Sequence, residues 1–143
     1  MAKRSLQRMF QRLLIAEDQD ETSRTVEIFG WIVLFEGAVI MISPHLVASL
    51  LHLPPLVDQG ADYFRLAALL LLGIGMLYVV SGRLNSQGFA FASLLDRPLV
   101  PPTMAVLWLL DVVPGPLALA FSIQDLAGFI WTLRTWRAQQ AQA

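Results

Sequence analysis

The chain contains no cysteine. Disulfides, thiolate metal sites, iron–sulfur clusters and thiol nucleophiles are therefore excluded. Charge is scarce as well: 15% of the 143 residues are charged, against about 25% in an average soluble domain. The net charge is −1, far from the basic balance of a nucleic-acid surface, so no nucleic-acid partner is expected. Catalytic signatures are missing too. There is no G-x-S-x-G, no P-loop and no H-x-x-E-H or comparable metal pattern. Gly73-Ile74-Gly75 lies inside an apolar run, where small residues let helices approach closely. Nothing outside the apolar stretches is rich enough to form a second, soluble core.

Apolar residues are abundant, at 56% of the chain with a mean hydropathy of +0.59. They gather into four stretches, and the basic residues are placed around them. Nine of the ten Lys/Arg fall on one side of the membrane this pattern implies: Lys3, Arg4, Arg8, Arg12, Arg24, Arg83, Arg97, Arg134 and Arg137. Only Arg65 falls on the other. Positively charged loops stay in the cytoplasm. The expected fold is thus all-α: an integral-membrane four-helix antiparallel bundle with both termini cytoplasmic, in a bacterial inner membrane. Short loops and alternating charge give it an up-down topology.

The expected spans run over about 23–43, 63–81, 99–113 and 117–133. Thr22 and Ser23 are the N-cap candidates for the first, and Pro44 stops it. Residues 45–52 read as a short amphipathic helix at the outer surface. Residues 89–95 read as a helical turn at the interface or an early start of the third span, a boundary blurred by Pro98, Pro101 and Pro102. Pro114-Gly115-Pro116 signals a tight turn. Fusing 99–133 into one kinked helix would export Arg134 and Arg137, so the hairpin is preferred.

Ahead of the bundle, Leu6, Met9, Phe10, Leu13 and Leu14 follow helical spacing with Lys3, Arg4, Arg8 and Arg12 interleaved. That pattern predicts a basic amphipathic helix lying on the membrane surface, either an orientation anchor or a docking helix. A signal peptide is not expected, because Arg8, Gln11 and Arg12 interrupt the apolar run it needs. The chain thus divides into a cytoplasmic helix with an acidic linker (1–22), the bundle (23–137) and a polar tail expected to be disordered (138–143).

Charged groups inside lipid cost several kcal/mol and mark function or pairing. Glu36, Asp111 and Asp125 fall within the expected spans, and Arg65 opens the second. Their depths suggest an outer Arg65–Asp111 ion pair above a Glu36–Asp125 carboxyl pair. Such a site can bind the polar head of an apolar ligand, bind a cation or relay a proton. The plainer alternative is interhelical hydrogen bonding, with Trp108, Gln124 or Ser122 as partners. Tyr78 is a further donor within reach of the spans' inner third. His45 and His52 lie seven apart and can share a helical face, but too few ligands converge for a metal or haem. Neither metal nor cofactor is expected.

The outer Pro44 with the leucine-rich 45–51 segment, Phe64-Arg65-Leu66 opening the second span, Gly75-Met76-Leu77-Tyr78 near its inner end and Asp125-Leu126 in the last span together resemble the DoxX-like small bacterial membrane proteins. The resemblance spans about 25–136. It implies a four-helix membrane fold and, in some relatives, links to quinone-dependent sulfur oxidation or redox stress. Thiol chemistry does not carry over to a chain without cysteine. A fainter likeness to four-helix sterol isomerases and sterol-binding proteins rests on buried carboxylates alone. The leading functional expectation is a non-enzymatic accessory or scaffold subunit, working with a membrane-protein partner or a second copy. The alternative is a site for a lipid, quinone or sterol-like molecule on Glu36, Asp111, Asp125 and Arg65. A proton or cation relay comes third.

Overall fold

A computed structural model describes residues 2–15 and 18–142, with side chains described from Gln7 onward except Arg8. Every regular element among them is helical: α1 (Ala2–Leu14), α2 (Glu21–Ile42), α3 (Pro44–Leu50), α4 (Gly60–Arg83), α5 (Gln87–Asp96), a 3-10 turn (Arg97–Leu99), α6 (Val100–Leu109) and α7 (Gly115–Gln142). Three of these, α2, α4 and α7, are long and apolar enough to cross a membrane. The expected third span is broken. Its helix is only ten residues long, about 15 Å at 1.5 Å per residue, and joins α5 through the 3-10 turn at Arg97-Pro98-Leu99.

Asp20, rather than Thr22 or Ser23, caps α2, accepting from the Ser23 backbone N–H. The helix ends at Ser43, where Pro44 starts α3. The tail expected to be disordered instead continues α7 as helix to Gln142. In α1, Arg12 is exposed; the side chains of Lys3, Arg4 and Arg8 lie outside the described residues.

Three helix ends share one device. His52, Asn85 and Asp111 adopt positive φ (53°, 53° and 55°) just past α3, α4 and α6. At each, the next residue's N–H reaches back five positions, as in Leu53 to Ala48, Ser86 to Ser81 and Val112 to Leu107. This closes the last carbonyls of each helix. The Asp111 closure reverses the chain before Gly115, so α6 and α7 form a hairpin, as the Pro-Gly-Pro signal implies.

The helices pack as an open row in the order α4, α2, α7, α6, with α2 central. The ends of the row, α4 and α6, share no extensive interface, and the contacts establish an all-helical row without establishing the four-helix antiparallel bundle expected from the sequence. The α2–α4 interface is the tightest. Ser23, Gly30 and Gly37 on α2 face Gly82, Gly75 and Ala68 on α4, at heptad spacing on both helices. An added Cβ on Gly30 would lie 2.6 Å from the Val79 nitrogen, and one on Gly75 would lie 2.7 Å from the Leu34 nitrogen. Small residues there allow backbone-to-backbone approach. Gly73 has nothing within 4 Å and takes no part.

Candidate functional site

Polar groups concentrate at one end of the row, where α2 begins and α4 and α7 finish. Asp20 accepts from the Ser23 N–H (2.8 Å), the Ser23 hydroxyl (2.9 Å), Gln87 (2.9 Å) and Gln139 (3.1 Å). One carboxylate thereby ties α2, α5 and α7 together. Burial pushes its titration up, but these hydrogen bonds outweigh that and hold it below the usual carboxylate range. Next to it, the buried Glu27 accepts from Arg83 (2.8 Å), Trp31 (3.1 Å) and Gln19 (2.8 Å). Arg83 also donates to the Leu13 carbonyl at the end of α1. Glu27 and Arg83 form an ion pair across the α2–α4 interface.

Deeper in the row lies Arg97, wholly buried at 0% exposure. Its guanidinium carbon sits 3.8 Å from the Phe29 ring centre and 5.1 Å from that of Tyr78. Tyr78 is braced in turn by Phe29 and by Phe89, edge-on at 4.8 Å. Arg97 Nη1 donates to the Thr132 hydroxyl (3.0 Å), which also accepts from Thr25 (3.0 Å). Gly128 makes room for this cation: a Cβ there would lie 2.9 Å from Nη1. Nε and Nη2 have no acceptor among the described residues. A stacked, desolvated cation of this kind gains about 2 kcal/mol from the ring faces, against a burial cost of several kcal/mol per ion.

The four residues singled out from sequence divide into two groups. Glu36 and Asp125 both lie part-way along the spanning helices and are half-buried. Glu36 accepts from Gln124 (3.0 Å) across the α2–α7 interface, the interhelical bond named as the plainer alternative. Asp125 follows Gln124 on α7. Arg65 and Asp111 lie towards the opposite end and do not pair. Arg65 bridges Asp62 at 3.5 Å and points its Nε at the Met41 carbonyl. Asp111 is an exposed turn residue. The proposed Arg65–Asp111 cap is thus replaced by a local α4 pair and a helix-end contact.

Two residues escaped the sequence reading. Glu27, one turn before Trp31, is not singled out although it falls inside the expected first span. Arg97 counts with the basic residues of the cytoplasmic side, whereas it is wholly buried. The signal available for Arg97 was Asp125, a carboxylate placed in a span without an evident countercharge. His45 and His52 are exposed, and His52 serves the α3 closure. No group of three metal-ligating side chains occurs among the described residues.

A groove of about 380 Å3 opens between α6 and α7, lined by Pro101, Ala105, Trp108, Ala118, Leu119 and Ser122 among others. Comparisons with protein-family models, with curated proteins and with solved structures return no match.

Proposed function

We propose that the protein is a small multi-pass subunit of the bacterial inner membrane, an accessory or scaffold element of a larger membrane assembly rather than an enzyme. The observation that supports this is how the polar groups of the spanning helices are spent. Glu27 is engaged by Arg83, Trp31 and Gln19, and Glu36 by Gln124. Arg65 and Asp111 stay apart from both. Glu27 and Glu36 hold helices to one another, and no nucleophile–base set converges among the described residues.

In this reading the segment from α5 through α6 makes a fourth crossing, bent at Arg97-Pro98. The end carrying Arg24, Arg83, Arg134 and Arg137 faces the cytoplasm with both termini, following the charge rule. The basic α1 lies on that leaflet, tied to the row through the Arg83 contact with Leu13. The likeness to DoxX-like proteins fits this size and helical make-up. Because α6 has no buried residue, its open edge suits a helix from a partner subunit or a second copy.

Native mass spectrometry after gentle extraction from the membrane tests the reading. A stoichiometric complex with another membrane subunit, or a homo-oligomer, is expected. A lone monomer that turns over a substrate overturns it.

A further inference from the structure

Three features of the α6–α7 region meet at Asp125. The first is the groove, about 380 Å3, within the roughly 300–1,000 Å3 range of small-molecule sites. Its walls are apolar apart from Ser122 and the Trp108 indole. The second is the order of residues along α7. Ala118, Ser122, Asp125, Gly128 and Thr132 follow one another at steps of three and four, so they share a face. Ala118 and Ser122 line the groove, while Gly128 and Thr132 touch Arg97. Asp125 therefore stands between groove and guanidinium. The third is Arg97 itself, fully buried with Nε and Nη2 lacking an acceptor among the described residues. A buried charged donor left unmet is costly, and an acceptor brought to it is correspondingly favoured.

We propose that the groove binds a neutral, hydroxyl-bearing apolar molecule of the membrane, its chain between α6 and α7 and its hydroxyl set between Asp125 and Arg97. A hydroxyl oxygen accepts from the guanidinium while its proton is donated to the carboxylate. Charged heads fit worse. An ammonium is repelled by Arg97 and a carboxylate by Asp125, and both effects are strong where water is scarce. A plain hydrocarbon meets neither group. Arg97 is enclosed in this structure by Phe29, Tyr78, Gly128 and Thr132, so seating the head requires movement at the 3-10 turn Arg97–Leu99, a kind of break that often acts as a hinge. The proposal is independent of the accessory-subunit reading.

The test uses the full chain in lipid nanodiscs and three photoreactive probes sharing one mid-chain diazirine: hexadecanol, hexadecanoic acid and hexadecyltrimethylammonium. Cross-linked residues are mapped by mass spectrometry. The alcohol should label 101–108 and 118–122 at least about tenfold more than either charged probe, equivalent to 1.4 kcal/mol of preference. Excess unlabelled hexadecanol should remove that label. Asp125→Leu should reduce it. Ala105→Phe fills the groove from an exposed position, keeps the fold, and should abolish it even where Asp125→Leu fails to fold. Equal labelling by all three probes overturns the proposal. So does label spread over the exposed Leu69, Leu70 and Leu77 of α4, or label unchanged in Ala105→Phe.

Discussion

Thr132 holds two hydrogen bonds in a fully buried place, one from Arg97 and one from Thr25. Thr132→Val keeps the shape and removes the acceptor, leaving Arg97 with no bonded nitrogen among the described residues. The expected loss is about 2–3 kcal/mol, since an unsatisfied buried charge costs more than a lost neutral bond; the unfolding midpoint in mixed micelles reads it, and Thr132→Ser should restore most of it. Glu27→Gln weakens the charge-assisted bond to Arg83 and should cost about 1–2 kcal/mol by the same measurement. Asp20 supplies a pH dependence. Its folded carboxyl titrates below the unfolded one, which lies at about 3.9. The stability it contributes is complete above that value and is lost as pH falls through the lower, folded value. Unfolding midpoints should therefore drop on acidification below about pH 4, and Asp20→Asn should remove that part of the drop. Sequence marked Glu36 and Asp125 because a charge amid apolar residues is visible along the chain. Partners are not: whether Gln124 or Asp125 meets Glu36 depends on the rotation of α7, which no local pattern specifies.

At the scale of the helix, the α2–α4 interface separates glycines that matter from one that does not. Gly30→Leu or Gly75→Leu drives a side chain into backbone at under 3 Å and should cost more than about 3 kcal/mol, the upper end of ordinary overpacking. Gly73→Ala meets open space and should leave the midpoint unchanged or slightly raised, because alanine favours helix. Both glycines sit mid-run in the sequence, and only the partner's backbone tells them apart. The long helices were legible from apolar run length, with ends shifted by one to three residues except at the far end of α7, which runs nine residues beyond the expected 133. The α5–α6 break was legible as a proline cluster, but its consequence was not. The 3-10 turn carries Arg97 inward, onto the faces of Phe29 and Tyr78.

At the scale of the whole molecule, the absence of cysteine allows single reporters to be placed freely. In intact cells, Asp58→Cys and Val113→Cys should react with an impermeant maleimide, while Asn85→Cys and Gln140→Cys should react only after lysis. Protection of Val113→Cys in intact cells would show that α6 does not cross. Four apolar stretches and one-sided charge were enough to read an all-helical chain, yet not its open row, since the neighbours of a lipid-facing helix leave no mark in its composition. The heptad match between α2 and α4 carries one further consequence. Small residues recur every seventh position on both helices, so sliding one past the other by about 10 Å, seven residues of rise, sets Gly30 against Ala68 or Gly82 and restores nearly the same fit. Steric matching alone leaves a ladder of near-equivalent rungs. The rung is chosen at the end of the ladder, where Glu27 meets Arg83 and the Asp20 backbone N–H meets Asn85, contacts that a one-rung slip would part entirely.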